Sequence, residues 1–307
     1  MNISLNEDEQ ILRGAIRDLT VSLAADGATL ERAWQAYSEL GLCAVDVPET
    51  LGGAEMGIAA LAVACAAIAE SKPAWAICMG VHNLSLRQAA LHNAAEKGQM
   101  MTLASGEAYA AANVTPTGSP RTLVWDALRV QHFFVGSHGA CTPIPIETPA
   151  ANTHSAEFFD GARLLAVDDS STIQADWAAW DLIWAAVSLG VARGAFRTLV
   201  EYSQEREQFG RPLSAFQAIQ WMLADSSAEL DGAAVLVDRA IRRPSTAVHA
   251  ARAALFASEA AVKIADRAIQ AHGGYGFTME YLPQEFWRSA HQLHDILAAD
   301  AAKRTLR

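Results

Sequence analysis

The chain has 307 residues, 51% of them hydrophobic, and 23 basic against 34 acidic side chains for a formal net charge of −11. That length allows one large domain or two, with a sizeable core. The acidic balance argues against sequence-independent binding of nucleic acid, which needs a basic footprint, and against docking on anionic membranes.

Residues 1–113 are helical in pattern. Asn6 is placed to cap a first helix running through Thr20, with Glu7, Asp8 and Glu9 in the first turn, where acids suit the helix dipole. Leu30 to Leu40 reads as a second helix stopped by Gly41, and Cys43 to Gly53 as a loop. Ile58 to Ser71 is a strongly apolar helix, and a helix-rich run from Ala74 to Lys97 follows. The apolar run Gly57 to Ala69 is too short to span a bilayer and reads as a buried helix. The acidic start of the chain does not read as a signal peptide.

Residues 114–176 change character. Five of the ten prolines lie between Pro116 and Pro149, and short runs with strand-like alternation stand between turn residues: Thr122–Trp125, Arg129–Val135 and Arg163–Val167. This zone reads as a small β-rich insert.

Residues 177–307 are helical again. Leu189, Ala192, Phe196, Leu199 and Val200 share one face, as do Phe216, Ile219, Leu223, Leu230 and Val237, and then Leu255, Ser258, Val262, Ala265 and Ile269. Long helices with short links predict a four-helix bundle, completed by 284–304. The fold class is therefore mainly α with a small β insert. Cys43, Cys65, Cys78 and Cys141 form no C-x-x-C pair or zinc spacing and read as reduced core residues of a cytoplasmic protein.

Two segments could carry chemistry. In the first, a helix ends near Arg206 and the chain turns at Phe209–Gly210, so that Arg206 and Gln208 reach out of the bundle. Arginine's planar fork suits a pyrophosphate, Phe209 offers an aromatic face, and Phe216–Gln217 opens the next helix with an amide able to bond a polar ligand edge. The second is Gln270-Ala-His-Gly-Gly274, where adjacent glycines let a ligand or a second backbone approach closely. On the residues alone, the first also reads as an ordinary surface hairpin and the second as a plain helix stop. His291 and His294 stand three apart on one expected helix, with Asp295 adjacent, a spacing that could hold a metal, but no third ligand is evident, and two partly exposed polar residues near an interface is the simpler reading, with no metal.

Together these motifs resemble the acyl-CoA dehydrogenase family. Arg206-Glu-Gln-Phe-Gly210, Phe216-Gln217 and Gln270-Ala-His-Gly-Gly-Tyr-Gly-Phe-Thr278 follow its pattern. So do Glu280-Tyr-Leu-Pro283 and Arg288 and, in the first zone, Leu40-Gly-Leu42, Val47-Pro-Glu49 and Gly52-Gly53. The resemblance implies an N-terminal helical domain (1–113), a reduced central β-domain (114–176) and a C-terminal four-helix bundle (177–307). It implies that Arg206, Gln208, Phe209, Phe216, Gln217, Gln270, Gly273 and Gly274 form part of an FAD site shared with a neighbouring subunit. It further implies an acyl-CoA substrate and an acceptor of the electron-transfer flavoprotein type.

The resemblance also fails in places. The family's usual catalytic carboxylate position falls on Leu297, which cannot take a proton. An alternative position on the first bundle helix falls on Trp180, beside Asp181, and Asp295 is the other nearby carboxylate. The middle zone has Thr115-Pro-Thr-Gly-Ser-Pro120 but no Trp-Ile-Thr strand to lie against a flavin ring. The chain thus resembles the short, non-catalytic subunit of a heteromeric (α2β2) bacterial acyl-CoA dehydrogenase, with a longer subunit supplying the base and steroid side-chain CoA thioesters as a candidate substrate. A self-sufficient flavoenzyme using Asp181 or Asp295, and a flavin-free scaffold, remain as alternatives.

Overall fold

The computed structural model describes residues 5–91, 93, 95–112, 122–126, 132–137, 140–145, 156–158, 162–167, 176–243 and 247–305, with side chains described outside 111–175 and as far as 295. Helix α1 spans Glu7–Ala25. Its start is a reciprocal capping box: Glu9 N–H donates to Asn6 Oδ1 at 2.8 Å, and Asn6 N–H to Glu9 Oε2 at 2.9 Å. The helix continues one turn beyond the expected end at Thr20, whose buried hydroxyl donates to the Ile16 carbonyl (2.7 Å) and meets Tyr37 Oη (2.8 Å). Helix α2 covers Leu30–Glu39, and Gly41, at φ 72°, turns the chain out of it.

The expected loop from Cys43 to Gly53 contains two short 3-10 turns, Leu42–Ala44 and Glu49–Leu51. Buried Asn83 organises it, accepting from Val45 N–H (2.8 Å) and donating to the Leu42 carbonyl (2.9 Å). Asn83 lies on α4 (Pro73–Leu91), which follows the apolar α3 (Gly57–Ala69) and precedes α5 (Lys97–Ala104). The three cysteines whose side chains are described, Cys43, Cys65 and Cys78, are free and buried, and burial pushes the Cys43 and Cys65 thiols up to about 12.

Six strands follow: β1 (Ala110–Ala112), β2 (Thr122–Asp126), β3 (His132–Ser137), β4 (Ala140–Pro145), β5 (Ala156–Phe158) and β6 (Ala162–Val167). They form two three-stranded sheets, ordered β1-β3-β4 and β2-β6-β5; only the β1–β3 pairing is parallel. Thr122–Trp125 and Arg163–Val167 are strands, as is the 132–135 part of the Arg129–Val135 run; residues 129–131 and the Thr115–Pro120 segment lie outside the described residues.

The bundle consists of α6 (Trp177–Glu205), α7 (Gln217–Arg242), α8 (Ala247–His272) and α9 (Pro283–Thr305). Helix α6 is its axis, touching α3 and α4 on one side and α7, α8 and α9 on the other. Among the described residues it is the one helix long and apolar enough to cross a bilayer, but most of that stretch is buried inside the chain, as in the core helix of a bundle. Asp176 caps it through Oδ1 to Ala179 N–H (3.2 Å). Asp176 Oδ2 accepts from Arg87 Nη2 (3.0 Å), and Arg87 also holds Asp46, so one guanidinium pins the start of α6 to α4 and the preceding loop.

Candidate functional site

Helix α6 ends at Glu205, and Arg206 leaves it in an extended conformation. Strands β7 (Glu207–Gln208) and β8 (Arg211–Pro212) then pair, with Gln208 opposite Arg211. The two residues between them, Phe209 and Gly210, have φ 52° and 77°, the left-handed pair that a tight two-residue hairpin demands. Glycine adopts this freely. For Phe209 it costs on the order of 1 kcal/mol, and the side chain gains little by burial, being 93% exposed. Such strain held in the open is more characteristic of ligand sites than of plain connections. The hairpin is otherwise firm. Leu213 N–H donates to the Arg206 carbonyl (2.8 Å), the Arg211 guanidinium lies 4.0 Å over the Phe216 ring, and Phe209 meets Phe216 edge-on at 6.4 Å. Phe216 caps α7 without a side-chain hydrogen bond, and Gln217 begins the helix exposed.

The second segment follows α8, where Gly273–Phe277 forms a 3-10 turn and Gly273 takes φ 59°. His272 is fixed by donating Nδ1–H to the Ala268 carbonyl (2.7 Å) and by stacking on Tyr202 at 3.9 Å. Tyr281 meets Tyr202 at 6.2 Å and His272 at 6.0 Å. Burial lowers the His272 pKa, opposed by the bond to Ala268, so the ring enters this stack neutral. Tyr202 stands on the last turn of α6. The aromatic cluster therefore brings the hairpin and the glycine turn to one end of the bundle.

The structure thus gathers Arg206, Gln208, Phe209, Phe216, Gln217, Gln270, Gly273 and Gly274 at that end, all exposed except half-buried Phe216. Space is open where a Cβ would stand on Gly210, Gly273 and Gly274. Among the described residues the arrangement is a solvent-exposed ledge of donors, aromatic faces and bare backbone. Apolar surface surrounds it: Trp221 is 64% and Met279 76% exposed, and Phe277 is also uncovered. The first half of α7 shares this exposure. Of the face expected for that helix, Val237 is buried while Ile219, Leu223 and Leu230 are only partly covered.

The candidate bases lie elsewhere. The sequence places Asp181 only as the neighbour of Trp180 on the first bundle helix. It is 1% exposed, because the helix begins at Trp177 with Asp176 as its cap and packs on nearly every side. Trp180 is buried, its ring 5.9 Å from that of Trp184. Asp295 is exposed on α9, and Leu297 follows on the same helix, its side chain outside the described residues. The two histidines have separate partners: His291 Nε2 bonds Asp266 Oδ1 (3.2 Å), and His294 Nδ1 meets Ser258 Oγ (3.3 Å). Sequence reasoning missed the Asp46–Arg87–Asp176 clasp. Its only signal is an arginine within the apolar run of α4.

The fold and this ledge define the class: a chain with the acyl-CoA dehydrogenase fold. The acyl-CoA dehydrogenase N-terminal domain matches residues 7–105 and the C-terminal domain residues 182–296. Together they take in well over half of the chain, which belongs to the acyl-CoA dehydrogenase family. The 3-sulfinopropanoyl-CoA desulfinase of Paraburkholderia xenovorans is 44% identical over 104 residues, 33% of this chain and 26% of that protein. The acyl-CoA dehydrogenase IpdE2 of Mycolicibacterium smegmatis is 35% identical over 156 residues, 51% of this chain and 49% of that protein. The chain thus spans about a quarter to a half of the curated relatives it matches. Among solved structures, the ChsE4–ChsE5 complex from Mycobacterium tuberculosis superposes with a TM-score of 0.79 at 18% identity, covering 99% of this chain and 97% of that one.

Proposed function

We propose that this chain is a subunit of an FAD-dependent acyl-CoA dehydrogenase, that it contributes one side of the flavin site, and that a longer relative supplies the catalytic carboxylate. The observation that carries the reading is the ledge. It offers a guanidinium, three amides and accessible backbone at one end of the bundle, all solvent-exposed among the described residues, which leaves room for a second surface to complete the site. The residues fit an extended dinucleotide in chemistry. Arg206 is suited to paired hydrogen bonds with a pyrophosphate, Gln208, Gln217 and Gln270 to polar edges, Phe209 to a flat ring, and Gly273–Gly274 to close backbone approach. FAD, when bound, would supply hydride acceptance. This chain's part would be to bind and orient it and to exclude water. Leu297, at the usual base position, offers no proton acceptor, which supports placing the base on the partner. The relative whose structure is a complex of two differently named proteins is consistent with such pairing.

A bulky acyl-CoA such as a steroid side-chain thioester as substrate, a heterotetrameric assembly, an electron-transfer flavoprotein-type acceptor and a cytoplasmic location belong to the same proposal. The division at residues 113 and 176 also belongs to it.

The test is FAD per chain after purification alone and after co-expression with a longer acyl-CoA dehydrogenase from the same genome. Flavin is expected in the co-purified complex, and Arg206→Ala is expected to lower its retention tenfold or more while assembly persists. A yellow, active homo-oligomer of this chain alone overturns the reading. It would favour a second one in which Asp181, a carboxylate held inside α6, acts as base, and Asp181→Asn would then abolish turnover. A complex whose flavin content ignores Arg206→Ala would point to a scaffold.

A further inference from the structure

Helices α1, α6 and α7 enclose a cleft of about 820 Å³. Arg13 and Arg17, one turn apart on α1, line it together with Arg193 and Arg197, one turn apart on α6. Between these ladders stands Glu70, the last residue before the turn into α4, its side chain 8% exposed. Its Oε1 accepts from Arg13 Nη2 (2.7 Å) and from Arg193 Nη1 (3.2 Å), while Arg197 Nη2 donates to the Glu70 backbone carbonyl (2.9 Å). One carboxylate therefore pairs with two guanidiniums and a neutral carbonyl holds the third, so three positive charges face a single negative one at Glu70. Arg13 Nε is buried there without an acceptor. Arg17 pairs only with its neighbour Asp18, at 3.3 Å across an exposed surface, where an ion pair contributes little. Asp18 and Glu201 stand at the exposed rim and do not reach the floor arginines. Apolar side chains also line it: Phe196 and Val200, interleaved with the arginines on α6, and Leu230 on α7.

In a chain of net charge −11, such a gathering calls for an anion. Guanidiniums in a partly dry cleft are expected to bind a carboxylate or phosphate through paired, charge-assisted hydrogen bonds. We propose that this cleft binds a small amphiphilic anion, its carboxylate or phosphate head held by Arg17, Arg193 and Arg197 and its apolar body lying on Phe196 and Leu230. The proposal is independent of the flavin reading, which concerns the end of the bundle.

Isothermal titration of the full chain, in the assembly in which it purifies, with octyl phosphate, octanoate, inorganic phosphate and neutral octyl glucoside tests this. Octyl phosphate or octanoate should bind at least tenfold more tightly than octyl glucoside, and whichever binds more tightly assigns the head group. Arg197→Gln should weaken both octyl anions tenfold or more, and Phe196→Ala should weaken them while leaving inorganic phosphate unchanged. Arg252→Gln, exposed on α8, serves as a control without effect. If Arg197→Gln does not fold, Arg17→Gln replaces it, since Arg17 holds no buried partner. Absence of binding, equal binding of octyl glucoside, or indifference to the arginine variant overturns the proposal.

Discussion

His82 is surrounded by groups that need it neutral. Ala110 N–H donates to its Nδ1 at 3.0 Å, which leaves the proton on Nε2 to donate to the Leu103 carbonyl at 3.1 Å. Tyr109 stacks on the ring and Trp34 meets it edge-on. Burial, opposed by the backbone hydrogen bonds, drives the pKa from its ordinary 6.5 to about 3. The folded pKa lies below the unfolded one, so between these values the unfolded chain binds a proton that the native chain refuses. Stability is thus expected to be full above pH 6.5 and to fall steadily toward pH 3. Urea midpoints measured from pH 8 to 4 should show this decline, and His82→Gln should flatten it while lowering the midpoint at pH 8. A pH dependence unchanged in the variant would assign the acid lability to other groups. Residue roles of this kind differ in how far a sequence announces them. The Asn6 cap is readable because caps are local. The burial of Asp181 is not, because it depends on which of five helices pack around α6.

At the scale of elements, two glycines on α6 set its distance from α3. A Cβ on Gly190 would stand 2.3 Å from the Ala66 carbonyl oxygen and 2.6 Å from Ala69 Cβ, and one on Gly194 would strike Phe286 and the Glu70 carbonyl. The alanine-rich face of α3 and these bare positions let the backbones nearly touch. Gly190→Ala should therefore destabilise the chain by about 1–3 kcal/mol through overpacking. Gly14→Ala, mid-helix in α1 with nothing within 4 Å of the new methyl, should stabilise it by about 0.5–1 kcal/mol. Denaturant titration of both variants decides, and similar shifts in the two would refute the close approach. Periodicity in the sequence locates α6, α7 and α8 well, because each presents apolar residues at helical spacing. It cannot distinguish Gly190 from Gly14, since a close contact is a property of two elements and each helix carries only its own half of the information. The same limit applies to the hairpin. Phe209–Gly210 is a recognisable turn, but a phenylalanine in the left-handed region is not what turn chemistry expects.

For the whole molecule, the informative imbalance lies between the two faces of the bundle. Among the described residues, the side of α6 against α3 and α4 is closed, whereas the end bearing Arg206, Gln270 and Gly273 is exposed and ringed with apolar side chains. The motif residues are readable in the sequence because they are contiguous. Their convergence at one end rests on the contacts among Tyr202, His272 and Tyr281, which bring together residues 79 positions apart.

That exposed end also carries its own optical signal. Trp34, Trp75, Trp180 and Trp184 are buried, Trp177 and Trp287 are half-covered, and Trp221 alone among the tryptophans with described side chains stands in solvent. Iodide should therefore quench one red-shifted component of the emission, and Trp221→Phe should remove it. If another protein covers the start of α7, that component will move to the blue and become inaccessible to iodide as the complex forms, giving a titratable, label-free reading of assembly. A component that stays red and quenchable throughout would place the contact on another face.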